Sequence, residues 1–144
     1  MQGTIKTIYG GLIMRTIEKN IIREIQFGNN NQIEKNFSCR DRLKKEGYNQ
    51  YKIYLWDSLI FGHSAKTNKN YFCFHGYMTN TTKGRINAFI TGLFGACAGI
   101  YQKNYQLFYT AKNGNYIAKI DSKKYYEIQP DGTIKAIENI FDYL

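Results

Sequence analysis

The chain is nearly without proline: Pro130 is the only one in 144 residues. No Ser/Gly-rich linker interrupts it and no internal repeat divides it, so the length suits one compact domain over residues 1–144. Cysteine is scarce and odd in number, at Cys39, Cys73 and Cys97. That excludes a disulfide framework and a Cys-x-x-Cys metal pair, and leaves reduced core residues, Cys39 excepted. Long apolar runs are missing. The longest, Ala88 to Tyr101, is cut by Gly92, Gly95 and Gly99 and falls short of the roughly 18 residues a membrane span needs. A secretory start is missing too, because Met1-Gln2-Gly3-Thr4-Ile5-Lys6 has no charged region followed by an apolar one. The expectation is a soluble, cytoplasmic protein with no membrane partner. Residues 1–13, ahead of the second methionine at Met14, read as a flexible or alternative-start extension.

The most telling absence is acidic. No Asp or Glu lies between Asp57 and Asp121, a span that carries Lys66, Lys69, Lys83, Arg85, Lys103, Lys112 and Lys119. Without carboxylates, and with only scattered Cys and His, it offers no metal site. No Walker loop, Gly-x-Gly-x-x-Gly, Gly-x-Ser-x-Gly or His-Glu-x-x-His occurs, so no cofactor is implied. What remains is a positive face, in keeping with a formal net charge of +9. Such a charge suits a polyanionic partner and excludes mimicry of DNA. With 13 Tyr, 9 Phe and 43% hydrophobic residues, the chain has ample apolar surface to bury and should fold.

Apolar positions Ile17, Ile21, Ile22 and Ile25 recur at helical spacing over 14–27, although their β-branching suits a strand equally. Ser38 to Gly47 reads as a short basic helix with Ser38 as cap and Gly47 as stop. Residues 51–56, 58–63 and 71–75 read as a three-strand meander. A central amphipathic helix over about 81–94, capped by Thr81 or Thr82, follows, with Ile86, Phe89, Ile90, Leu93 and Phe94 as its apolar stripe. Strands over 100–103, 106–111 and 116–120 come next, the last two joined by a turn containing Asn113-Gly114. Tyr125 to Ile128 adds a short strand, and Ile134 to Leu144 a final helix. The fold class expected is α+β, an antiparallel sheet with the 81–94 helix packed on it.

Chemistry concentrates at Thr79-Asn80-Thr81-Thr82-Lys83-Gly84-Arg85-Ile86-Asn87. Hydroxyls and backbone amides gather at a helix start, and Thr79, Thr81, Thr82, Lys83, Arg85 and Asn87 together form a candidate anion seat. The plain alternative is an ordinary helix cap with a solvated basic face, and either way Lys83 and Arg85 flank the apolar stripe and are expected to face solvent. This Thr-x-Thr-Thr-Lys-x-Arg-Ile-Asn motif, preceded by aromatic strands and followed by Ile100-Tyr101-Gln102-Lys103-Asn104 and a Tyr-rich hairpin, resembles small proteins of tailed bacteriophages over roughly residues 51–120. The resemblance implies a phage or prophage origin, hence the host-cell cytoplasm, and assigns no catalytic residue.

Basic and aromatic side chains interleave at Tyr101, Lys103, Tyr105, Tyr109, Lys112 and Tyr116. Exposed rings beside lysines stack bases while the cations meet phosphates, and Lys103 and Tyr105 join the candidate binding residues. His63 and His75 sit in adjacent strands but lack the His-x-Thr/Ser repeats of two-histidine phosphoesterases. The reading is a phage accessory protein that binds nucleic acid or a host nucleic-acid-handling defence complex, as an anti-defence inhibitor would. A small metal-independent ribonuclease and a minor virion component are the alternatives.

Overall fold

The computed structural model describes residues 7–9, 12–28, 32–47, 49–95, 97–138 and 143–144. Its strands, all antiparallel, form sheets of seven, three and two. A small hairpin, β1 (Thr7–Tyr9) and β2 (Leu12–Met14), leads into α1 (Thr16–Phe27). Helix is thus the outcome at 16–27, while Met14 closes β2. The Glu18 carboxylate accepts from the Arg15 backbone N–H at 2.9 Å and so satisfies one donor at the helix start.

The large sheet is a meander of β3 (Ile33–Asn36), β4 (Asp41–Lys45), β5 (Tyr51–Leu55), β6 (Ser58–Ser64) and β7 (Lys69–Phe72), each paired with the next. The chain then leaves through α2 (Asn80–Phe89) and a separate three-stranded sheet of β8 (Gly99–Lys103), β9 (Gln106–Ala111) and β10 (Tyr116–Ile120). It returns as β11 (Tyr125–Ile128) and β12 (Ile134–Ile137), with β11 pairing on β7. The α+β architecture with a helix on the sheet is as expected, and so is the meander.

Three expectations are corrected. Residues 38–47 are not a helix. Ser38 Oγ accepts from the backbone N–H of Arg40 and Asp41 (both 3.1 Å) in a tight turn that launches β4. Asp41, Leu43 and Lys45 point inward there, so polar residues on the buried face disguise the period-two pattern. The 134–144 segment opens as a strand, because Asp131 Oδ1 accepts from the Thr133 backbone N–H (3.0 Å) and hydroxyl (2.7 Å), fixing a turn that folds β12 onto β11. Ile140 and Phe141, part of that helical pattern, lie outside the described residues. Cys97 is exposed rather than in the core, whereas Cys73 is buried and burial raises its thiol pKa to about 11.

The α2 helix begins at Asn80, with Thr79 rather than Thr81 or Thr82 as its cap, and widens after Phe89 into a π-helical turn, Ile90–Phe94. Gly92 permits this turn to press on α1: a Cβ there would sit 2.6 Å from Ile22 Cδ1, closer than atoms tolerate. The main core joins Ile21, Ile86, Phe89 and Ile90 of the helices to Leu43, Ile53, Phe61 and Phe72 of the large sheet. Ile100, Leu107, Tyr109, Ala111 and Ile120 carry it under the small sheet. On the far side Leu59 and Tyr71 are covered by Tyr143 and Leu144; Gly62 leaves room for Leu144, whose Cδ1 would lie 2.9 Å from a Cβ.

Candidate nucleic-acid interface

The motif at 79–87 splits into two halves with opposite destinations. Arg85 is 1% exposed, which corrects the expectation that it faces solvent. Its Nε and Nη2 donate to Asp41 (2.7 and 3.2 Å) and its Nη1 to Glu18 (2.8 Å), both carboxylates equally buried. Burial opposes its charge, but the two acceptors outweigh burial and leave the guanidinium pKa above its ordinary value. Position 85 belongs to the buried stripe Thr82, Arg85, Ile86, Phe89, and the reading that sends every charged residue to water misplaces it. Lys83 is half-buried and donates to Gln102 at 2.6 Å. Asn87 clamps β8, accepting from the Ile100 backbone N–H (3.0 Å) and donating to its carbonyl (3.3 Å). This half of the motif fastens α2 to α1, β4 and β8.

The other half opens outward. Thr79 Oγ1 accepts from the Thr82 backbone N–H at 3.2 Å and meets the Thr82 hydroxyl at 3.0 Å. Thr79, Thr81 and Thr82 line a cleft of about 450 Å³ with Leu55, Ile60 and Phe74 on its floor and Arg40, Trp56 and Tyr77 at its margin. Trp56 and Tyr77 are 65% and 59% exposed. Trp56 and Asp57 both adopt left-handed backbone (φ 50° and 63°) in the β5–β6 turn, where Asn-Gly is the relaxed choice. A tryptophan held there costs about 1 kcal/mol or more, and its ring is nevertheless presented to solvent.

The small sheet supplies the second surface. Its registers put Lys119, Phe108 and Tyr101 in one cross-strand row, with Lys103, Gln106, Thr110 and Ile117 on the same outward face. Tyr101 and Phe108 stack with centroids 5.2 Å apart and planes 17° from parallel. No Asp or Glu lies within β8, β9 or β10, and Asp121, which follows β10, borders a hollow with Tyr105, Gln106 and Lys119; Lys103 and Lys119 are exposed with no ion pair among the described residues. Tyr105, at the tip of the β8–β9 hairpin, is 93% exposed. Tyr109 and Tyr116 turn the other way, the first donating to the Gly132 carbonyl at 2.7 Å and the second accepting from the Ile134 backbone N–H at 3.3 Å. Phe108 carries no sequence signal of its own and Lys119 only its place in the acid-free span; pairing shows which face of each strand is covered.

The two histidines do not meet. His75 Nε2 donates to the Leu59 carbonyl at 2.6 Å, while His63 lies four residues further along β6, a rise of about 13 Å, with its Nδ1 on the Asn49 carbonyl. One phosphodiester cannot lie between them. Among the described residues no group of His, Cys, Asp and Glu could hold a metal ion, and no helix is long and apolar enough to cross a membrane.

The chain matches the family model described as Kyanoviridae Gp96 protein over residues 14–129, a span that contains the motif at 79–87, both helices and all three strands of the small sheet. It belongs to that family and is a bacteriophage protein. No curated protein and no solved structure matches it.

Proposed function

We propose that this phage protein is an accessory factor that acts in the host cytoplasm by binding single-stranded nucleic acid on the outer face of β8, β9 and β10. One observation carries the reading: the stack of exposed Tyr101 on half-buried Phe108, flanked by Lys119 and Lys103 on three strands that contain no acidic residue. A base laid on an exposed ring contributes about 1–3 kcal/mol, and the adjacent lysines meet the phosphates on either side. Tyr105 extends the surface at the hairpin tip. The cleft bordered by Thr79, Thr81, Thr82 and Trp56 offers a further ring and the Thr81 hydroxyl to the same strand.

The test is anisotropy of labelled single-stranded DNA and RNA with the parent and with Tyr101→Ala/Phe108→Ala. Binding by the parent, weakened tenfold or more in the double variant with an unchanged melting temperature, supports the reading. Equal binding by the two overturns it. Capture of a host protein from nuclease-treated lysate, without oligonucleotide binding, would instead favour a protein complex as the partner.

A further inference from the structure

An acid stands at the end of the basic sheet face. Asp121 follows the last residue of β10 and borders an open hollow of about 490 Å³ together with Tyr105, Gln106 and Lys119. Gln106 and Lys119 belong to the outward face of the small sheet, and Tyr105 to its hairpin tip, so hollow and face form one continuous surface. Gln106 lies two residues from Phe108 along β9, a rise of about 7 Å. A strand stacked on the rings therefore has a neighbouring base at the hollow. A carboxylate repels phosphate and accepts hydrogen bonds without donating any, so what it suits on this surface is a proton-donating group of the ligand.

Two acceptor atoms are held there without a donor among the described residues. Gln106 Nε2 donates to the Leu107 and Ile120 carbonyls, at 2.9 and 3.0 Å. Two carbonyl partners settle which end of the amide is nitrogen, and Oε1 is the end left over, unpartnered and not sealed from solvent. The Ile120 carbonyl is joined directly to the Asp121 nitrogen, so amide and carboxylate are neighbours. Asp121 is itself held at two points: its backbone N–H donates to the hydroxyl of buried Tyr126 at 2.7 Å, and its Oδ1 accepts from the Lys123 backbone N–H at 2.9 Å. Oδ2 is the second free acceptor. Lys119 and Lys124 both line the hollow, and neither forms an ion pair with Asp121. The turn at 121–124 does not by itself need a carboxylate, because asparagine caps such turns equally well.

We infer that this hollow reads guanine: Asp121 and Gln106 accept from its N1–H and 2-amino groups, and Lys124 donates to its O6. Of the common bases only guanine sets two adjacent donors beside an acceptor on its Watson–Crick edge. Adenine and cytosine offer a donor beside an acceptor, and thymine or uracil one donor between two acceptors. Met78, half-buried in the lining of the hollow, supplies a soft apolar contact for the ring. The inference rests on the sheet-face reading for the strand that delivers the base, and deepens it with a base preference.

The experiment measures the anisotropy of labelled thymine-only DNA strands, and of the same strands with one central guanine, hypoxanthine, adenine or cytosine, against the full chain. The guanine strand is expected to bind about tenfold more tightly than the thymine-only strand. Hypoxanthine lacks the 2-amino donor and should bind about threefold or more weakly than guanine, the worth of one hydrogen bond. That comparison uses the parent protein alone and stands whatever the stability of a variant. Asp121→Asn keeps the acceptor that the turn uses. It should erase the guanine preference while binding the thymine-only strand at least as well as the parent, because a negative charge has left a phosphate-binding surface. Equal binding of the guanine and hypoxanthine strands, or a guanine preference that survives Asp121→Asn, overturns the inference. Base-independent binding that is lost in Tyr101→Ala/Phe108→Ala overturns the hollow and leaves the sheet-face reading standing. Guanine-dependent binding that is unchanged in that double variant does the reverse, and binding of no strand at all overturns both.

Discussion

The junction around Arg85 and the outer face of the small sheet carry the same raw materials, cations beside apolar or aromatic side chains, and use them oppositely. At the junction one guanidinium is sealed between Asp41 and Glu18 and ties α2 to β4 and α1. On the sheet face Lys103 and Lys119 stand in water beside a ring stack whose Tyr101 is exposed and whose Phe108 is half-buried. Charge along a sequence is therefore no measure of charge at a surface. The helix phase of position 85 and the strand phase of position 119 decide, and each becomes visible only when the neighbouring element is placed.

The strongest test of the contrast is Arg85→Leu. Removing one partner leaves two buried carboxylates uncompensated, and the loss should reach about 3–5 kcal/mol, read by chemical denaturation. A variant that keeps the parent's stability would show that the junction is not held by its ion pairs. Gly84→Ala should act in the other direction and more weakly. The added methyl would have Glu18 Oε2 as its nearest neighbour, at 3.7 Å, an ordinary contact, so the gain in helix propensity, about 0.5–1 kcal/mol, should appear as a higher melting temperature. A lower melting temperature would mean that the backbone at 84 must stay bare.

The smallest effect concerns pH. Burial opposes the charge of Glu127, but hydrogen bonds from Gln129, Tyr71 and Lys69 prevail and hold its carboxyl below the usual range. A depressed folded pKa means that the unfolded chain takes up the proton first. This contribution is complete above the unfolded carboxyl value near 4.3 and is lost as pH falls through the folded one. Melting temperature should therefore drop less steeply below about pH 4.5 in Glu127→Gln than in the parent; identical slopes would refute the assignment.

The meander at 51–72, the central helix and the Asn-Gly hairpin were legible because alternation, spacing and turn residues agreed with one another. β4 was not, since its inward positions include Asp41 and Lys45, whose burial depends on Arg85 and Glu24 in distant parts of the chain. The hydroxyl half of the 79–87 motif was placed at a helix start correctly, yet the cap is Thr79 and the cleft beside it depends on Trp56 and Tyr77. Phe108 sits in the run Gln106-Leu107-Phe108-Tyr109, where both strand faces carry apolar residues, and only the covering of Leu107 and Tyr109 by the core shows that Phe108 looks outward.

The sheet-face account is tested most directly by the salt dependence of single-stranded DNA binding in the parent and in Lys103→Gln/Lys119→Gln. Each lysine that neutralises a phosphate adds about 0.7 to the slope of log K against log salt concentration. The account predicts a slope shallower by about that amount for each lysine removed, with the fold intact and the ring stack still in place. A slope that does not change when both lysines are replaced would contradict it.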